Sequence, residues 1–346
     1  MRALVYHGAG KKDWETVPDP EVAAPTDAVI RVDAVTICGT DLHILGGDVP
    51  EVAEGRVLGH EAVGTVVATG SAVTTVRPGD RVLASCISAC GRCRYCRDGE
   101  YGQCLGGGGW VLGHLVDGVQ AEYARIPFAD TSTYPLPEAV SSEDALLLAD
   151  ILPTSYEVGV LNGRVRPGDT VAIVGAGPIG LAAVLTARLL SPSAIVVIDP
   201  AGARREAAHR LGAVAIDPGS DDPVEVVKAM TGGLGMDAAL EAVGVPETFE
   251  LCTRLVRPGG HVANIGVHGR PATLHLEDLW IRNLTITTGL VDTFTTPTLL
   301  RLLSNGQLDV SSLVTHRFEM ADFLQAYDVF ADPATTGALK VVVAAT

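Results

Sequence analysis

Val171-Ala172-Ile173-Val174-Gly175-Ala176-Gly177-Pro178-Ile179-Gly180 is the stretch on which the fold turns. Its four leading apolar residues read as a buried strand, and the glycines behind them match G-x-G-x-x-G. The chain has 39 glycines, so the match alone is weak. Its context strengthens it: a strand precedes it, a helix to about Leu190 follows, and Asp199 ends the next apolar strand, Ala194–Ile198, 24 residues after Gly175. Gly175 permits the turn, Gly177 lets backbone approach a pyrophosphate, and Gly180 lets helix and strand pack closely. Pro178 and Ile179 open the helix, whose N-terminus favours anionic phosphates. Asp199 would accept hydrogen bonds from ribose hydroxyls and repel a 2′-phosphate, which favours NAD over NADP, whereas Arg204 and Arg205 just behind it favour a phosphate. The uncharged run Val171–Ala187 has 17 residues, at the lower limit of a membrane span. Its interruption by Gly175, Gly177, Pro178 and Gly180 argues for strand, turn and helix instead.

Outward from this motif the strand–helix alternation continues. Arg204–Leu211 reads as a helix stopped by Gly212, and strands are expected near Val214, Ala238, Val262 and Thr285. The pattern implies a doubly wound parallel sheet. Residues 1 to about 150 differ: short strands such as Val29–Val32 and Gly64–Ala68 alternate with Pro-Gly and Gly-Asp turns, the pattern of a β-rich domain. The last fifty residues are mixed and end on a strand at Leu339–Val343.

A chain of 346 residues has room for two full cores, and 47% apolar content excludes global disorder. The formal charge of −16 argues against a broad nucleic-acid surface and suits a soluble cytoplasmic protein. Met1-Arg2-Ala3-Leu4-Val5-Tyr6 lacks the long apolar core of a signal peptide.

Two constellations of metal-ligand type stand out. Cys90, Cys93, Cys96 and Cys104 follow C-x2-C-x2-C-x7-C, while the rest of the chain holds only three more cysteines. Four thiolates fill a tetrahedral zinc shell and leave no position open for chemistry. A disulfide framework fits a small secreted domain better than a chain of this size. The second constellation is Cys38-Gly39-Thr40-Asp41-Leu42-His43 with Gly59-His60-Glu61. Cys38 and His60 are good zinc ligands, although each alone reads as a buried thiol or a structural histidine.

Together, in this order, the motifs resemble the zinc-dependent medium-chain alcohol dehydrogenases of the medium-chain dehydrogenase/reductase superfamily, in particular the secondary-alcohol branch. The resemblance implies an α/β chain: a β-rich GroES-like catalytic domain at 1–150, with a structural-zinc lobe at about 86–110, and a Rossmann NAD-binding domain at 151–290. Segment 291–346 then returns to the catalytic domain. It implies two zinc ions per chain. Cys38, His60 and Asp150 would hold the catalytic ion, with Glu61 beside it as an optional ligand, and the cysteine quartet would hold the structural one. Three protein ligands leave a position for a substrate oxygen. Asp41 would orient the ligating histidine. Thr40 and His43 would pass the proton outward, and a histidine with an ordinary pKa of about 6.5 suits that exit.

By the same resemblance Thr154, Ala242, Val243, Ile265, Gly266 and Leu290 would contact the cofactor, with Val291 a further candidate. Trp110 and Leu290 would line the substrate pocket, though Trp110 also reads as a core aromatic. Lys340 resembles a cofactor-phosphate contact or, alternatively, a snorkelling surface lysine. The activity implied is hydride transfer between an alcohol, or an aldehyde or ketone in reverse, and nicotinamide. A homo-oligomer, preferably a tetramer, is expected, with neither membrane nor nucleic acid as partner. Three alternatives fit the sequence less well. Against a polyol or threonine-type dehydrogenase, Asp150-Ile151 stands where polyol members carry Glu-Pro. Against a silent nucleotide-binding relative, Cys38 and His60 are present. Against a zinc-ribbon module, the local basicity of Arg92, Arg94 and Arg97 is outweighed by the overall charge.

Overall fold

The computed structural model describes residues 1–345 and divides into two compact units: Met1–Asp150 together with the chain from Val291 onward, and Ile151–Leu290.

The second unit is built on six parallel strands. Their spatial order is Val214–Ile216, Ala194–Ile198, Thr170–Val174, Met236–Glu241, Val256–Asn264, Thr285–Thr288. Every pairing is parallel, with Val171 opposite both Ile195 and Ala238. The central strands Thr170–Val174 and Ala194–Ile198 are apolar and buried beyond their first residue, because helices cover both faces of such a sheet. Chain order reverses between Thr170–Val174 and Met236–Glu241, and the crevice at the carboxyl ends of strands flanking such a reversal is where dinucleotides bind. The glycine motif lies there. The uncharged run resolves into the strand Thr170–Val174, a turn at Gly175 with φ of 101°, and the helix Pro178–Arg188. No helix among the described residues is long and apolar enough to cross a membrane.

The first unit centres on a seven-stranded, largely antiparallel sheet. One path through it runs Val314–Glu319, Lys340–Ala344, Ala28–Thr36, Ala62–Thr69, Arg81–Ala84, Thr133–Pro135, and Tyr123–Ile126 also pairs with Ala28–Thr36. The late strand Lys340–Ala344 is therefore an inner strand, with Val342 opposite Thr36. The core gathers Leu4, Ile30, Val32, Leu58, Val66 and Ile126 with Phe323 and Tyr327 of the helix Phe323–Ala331. Two loop ends of this unit carry the candidate ligands. Cys38 caps the helix Gly39–Gly46, and Gly59, at φ of 91°, turns the chain into His60 and the strand Ala62–Thr69.

Candidate active site

Cys38, His60, Glu61 and Asp150 meet in the first unit, each offering a ligand atom within 4.8 Å of all the others. Asp150 Oδ2 lies 3.6 Å from Cys38 Sγ and 3.4 Å from His60 Nε2. The site is strongly sequestered: His60 and Glu61 are buried, and Cys38 and Asp150 partly so. Burial first, and the charge of Glu61 second, push the Cys38 thiol up. Burial pulls the His60 imidazole down, but its hydrogen bonds with Asp150 and Cys38 outweigh this and raise it well above the ordinary histidine value.

The donor set fits a divalent cation. Glu61 is charge-matched by Lys340, whose Nζ lies 2.5 Å from Glu61 Oε2. With their protons lost, the Cys38 thiolate and the Asp150 carboxylate would carry two negative charges around a neutral imidazole, and a bound cation would reverse the cost of ionising them. Glu61 Oε1 is buried without a hydrogen-bond partner, as are His60 Nδ1 and Asp41 Oδ1. The latter two lie 3.9 Å apart, with His60 Nε2 toward the ligand cluster and Nδ1 toward the carboxylate.

Thr40 and His43 belong to the helix that Cys38 caps. Thr40 Oγ1 is 3.6 Å from Cys38 Sγ, whereas His43 is half-exposed, its Nδ1 2.9 Å from Asp48 Oδ2. Trp110 stacks on His114 with ring centroids 4.2 Å apart and meets His60 edge-on at 6.4 Å, so it borders the cluster from the side.

Lys340 corrects an expectation. It is 1% exposed, so it does not snorkel. Its ammonium donates to Glu61 Oε2, to Thr36 Oγ1 at 3.2 Å and to the Ile37 carbonyl at 3.4 Å. These partners use all three of its donors and leave none for a cofactor phosphate. Thr36 also donates to Glu61 Oε2.

The sequence reading missed several neighbours. Buried Cys86 places its Sγ 3.7 Å from Asp150 Oδ1. Gln120 Nε2 donates to Asp41 Oδ2 at 3.0 Å, and Tyr327 Oη donates to Gln120 Oε1 at 2.7 Å. The available signal was a lone amide in the apolar run Val119-Gln120-Ala121.

Cys90, Cys93, Cys96 and Cys104 also converge, all sulfurs within 4.8 Å of one another. The neighbouring pairs Cys93–Cys96 and Cys90–Cys96 are 3.4 and 3.9 Å apart, close to the edge of about 3.8 Å that a tetrahedron of about 2.3 Å zinc–sulfur bonds requires. All seven cysteines are free thiols. Backbone amides of Cys90, Leu105 and Gly106 donate to sulfurs of the set. Gly106 is required, since a Cβ there would lie 2.6 Å from Cys90 Sγ. The amides of Cys96 and Leu105 draw Cys93 down to about 6, whereas burial and Cys93 push Cys96 up to about 12.

In the second unit a cavity of about 530 Å³ is lined by Gly175, Gly177, Asp199, Arg204, Ala242 and Val243, among others. A Cβ on Gly180 would lie 1.9 Å from the Gly175 carbonyl oxygen, whereas one on Gly177 would meet nothing within 4 Å and would project into open space. That opening, beside the helix that begins at Pro178 and Ile179, fits a pyrophosphate. Asp199 is buried. Its Oδ2 accepts from the Ala176 amide at 2.7 Å and its Oδ1 from the Ala201 amide at 2.8 Å, leaving lone pairs for ribose hydroxyls. Arg205 is engaged by Asp217 at 2.7 Å, and Arg204 Nη1 stands 3.9 Å from Asp199 Oδ2.

The remaining expected contacts are not among the residues lining this cavity. Ile265 and Gly266 follow the strand Val256–Asn264, where a Cβ on Gly266 would strike Glu241 and Gly244. Thr154 ends a short helix that runs on into the π-helical turn Ser155–Leu161, and Leu290 is 43% exposed. Val291 is buried in the first unit.

Comparison with known proteins agrees with both halves. Residues 24–138 match the alcohol dehydrogenase GroES-like domain and residues 178–305 the zinc-binding dehydrogenase domain. An alcohol dehydrogenase of Cupriavidus necator is 36% identical over 370 aligned positions, covering 99% of this chain and 98% of its own. Zinc-dependent alcohol dehydrogenase 2 of Streptococcus pneumonia, solved in its apo form, is 44% identical with a TM-score of 0.95, covering 100% of this chain and 98% of its own. A zinc-binding dehydrogenase of Sinorhizobium meliloti, solved with NADP, is 30% identical with a TM-score of 0.88, covering 99% and 98%. By its two domains, its ligand clusters and these full-length likenesses, the chain belongs to the zinc-dependent medium-chain alcohol dehydrogenases.

Proposed function

We propose that the protein is a zinc-dependent, NAD-linked alcohol dehydrogenase that interconverts a primary or secondary alcohol with its aldehyde or ketone. The observation that carries this reading is the convergence of Cys38, His60, Glu61 and Asp150 on one point. Zinc held there would supply a Lewis acid toward an alcohol oxygen, and a bound nicotinamide would supply the hydride acceptor.

The chain's own residues do the rest. Asp41 faces His60 Nδ1 and keeps Nε2 toward the ligand cluster. Lys340 and Thr36 engage Glu61 Oε2, so that Oε1 alone is available as a ligand. The Thr40 hydroxyl, beside Cys38, would accept the proton lost by the substrate as it passes its own outward, and half-exposed His43 would exchange the released proton with solvent. Trp110 shapes the pocket beside His60 and helps to exclude water. Asp199 selects NAD through its ribose; Arg204, near it, and the NADP-bound likeness are what favour the phosphorylated cofactor. We assign the quartet of cysteines a second, structural zinc, and place the enzyme in the cytoplasm as a homotetramer.

The decisive experiment measures NAD- and NADP-linked rates over a panel of alcohols, aldehydes and ketones, with and without a zinc chelator, alongside zinc content. Two zinc ions per chain, chelator-sensitive activity and an NAD preference that Asp199→Gly erodes are expected. Activity surviving in Cys38→Ala would refute the catalytic assignment.

A further inference from the structure

The ligand cluster is backed by a buried polar chain that reaches into the helix Phe323–Ala331. Tyr327 is 1% exposed, and its hydroxyl donates to Gln120 Oε1 at 2.7 Å. The Asp41 carboxylate at the other end fixes the amide, because a carboxylate only accepts and must meet Nε2, which leaves Oε1 to accept from the phenol. Nε2 then points at Asp41 Oδ2, 3.0 Å away, which the Cys38 amide also engages at 2.9 Å. With Oδ2 occupied twice, Oδ1 is the oxygen turned to His60 Nδ1, and neither of these two buried atoms has another partner. Gln120 touches the same loop a second way: a Cβ on Gly59, the residue before His60, would lie 2.3 Å from Gln120 Cγ. Its side chain thus lies where Gly59 alone leaves room, one residue from a ligand. Gln120 is itself 0% exposed. A buried amide costs stability unless both its ends are bonded; here Oε1 accepts from Tyr327, and Nε2 donates to the Thr36 carbonyl at 3.4 Å and, at the shorter distance, to the carboxylate that faces a ligand histidine.

We infer that Gln120 and Tyr327 are positioning residues for the catalytic metal site: by locking Asp41 they lock the orientation of His60. The inference rests on the reading of His60 as a zinc ligand. Tyr327 suits a permanent donor, since burial and the charge of Asp41 push its phenol well above the ordinary value and keep it protonated.

The test uses the full-length, zinc-loaded protein and follows zinc release to a chromophoric chelator, which resolves the two sites, with visible spectra of the cobalt-substituted protein. Gln120→Leu is expected to weaken the Cys38–His60–Asp150 site by about 10- to 100-fold, the range found when groups supporting a ligand are removed, and to shift the cobalt bands. The four-cysteine site is the internal control and should keep its affinity. Tyr327→Phe removes one hydroxyl with packing intact and should weaken the same site several-fold. It decides the matter if Gln120→Leu does not fold. Wild-type zinc affinity and cobalt bands in Tyr327→Phe and in any folded Gln120→Leu would overturn the inference, as would equal losses at both sites, which mark a general structural effect. A wild-type protein holding zinc only at the cysteine quartet would overturn the proposed metal site and this inference with it, an outcome distinct from the other two.

Discussion

Replacing Lys340 with methionine should be among the most damaging single changes outside the ligands themselves. Methionine fills most of the volume of the lysine stem but has no charge and no donors. Glu61 Oε2 would keep only Thr36, Oε1 already has no partner, and the residue is 1% exposed. Removing one member of such a pair costs about 3–5 kcal/mol, because the survivor is an uncompensated buried charge. That is roughly two to three and a half powers of ten in the folding constant, and a fall of about 6–20 °C in melting temperature for a unit of this size. The assay is thermal and urea unfolding of the chelator-treated protein at pH 7.5, so that bound metal does not mask the loss. The double variant Glu61→Gln/Lys340→Met removes both charges and should recover most of the deficit. The pH dependence has a definite sign. Burial lowers the Lys340 pKa, but Glu61 and the other nearby negative groups raise it on balance. The pair's contribution is therefore full below the unfolded value of about 10.4 and is lost only as pH climbs through the higher folded value. The deficit should be flat across neutral pH. A Lys340→Met protein within about 1 kcal/mol of wild type, or a double variant no better than the single, would refute the argument.

Other expectations follow from the same geometry. Gly177→Ala should leave the melting temperature unchanged, since its Cβ meets nothing, yet weaken NAD binding at least tenfold by filling the opening for the pyrophosphate; Gly180→Ala should lose stability as well, because its Cβ lies 1.9 Å from a carbonyl oxygen. Calorimetry and unfolding together separate the two cases. Gly106→Ala, which drives a methyl into Cys90, should leave about one zinc per chain by elemental analysis, the one held by Cys38, His60 and Asp150. Zinc uptake at the latter site should release protons, because the metal-free Cys38 and His60 both hold theirs to higher pH than usual. Its apparent affinity should therefore fall as pH drops, a trend that competition titrations between pH 6 and 9 would reveal or exclude.

What was legible in the sequence was local. The strand, glycine turn and helix at 170–188 lie within twenty residues, with Gly175 at the turn, Gly177 facing open space and Gly180 against the Gly175 carbonyl, so spacing alone carries the chemistry. The cysteine quartet is compact for the same reason. Cys38, His60 and Asp150 were reachable only through the family's order of motifs, since nothing local connects residues so far apart. The misreading of Lys340 has the opposite cause. A lysine between apolar residues near the end of a chain looks exposed, and its partner Glu61 is 279 residues away. Gln120 and Tyr327 were invisible on similar grounds: their bond spans 207 residues and exists only once sheet and helix are packed.

That separation has a consequence in time. At synthesis rates of about 5–20 residues per second, the ribosome releases Glu61 roughly 15–55 s before the lysine that neutralises it. Throughout that interval the strand Ala28–Thr36 lacks its neighbour Lys340–Ala344, while the whole unit Ile151–Leu290 is emerging and can fold. The nascent chain thus presents Cys38 and His60 behind an unsealed sheet edge, open to an incoming ion and equally to a wrong one. A ribosome that stalls in the last few residues would leave an intact nucleotide unit in a chain whose metal pocket never closes.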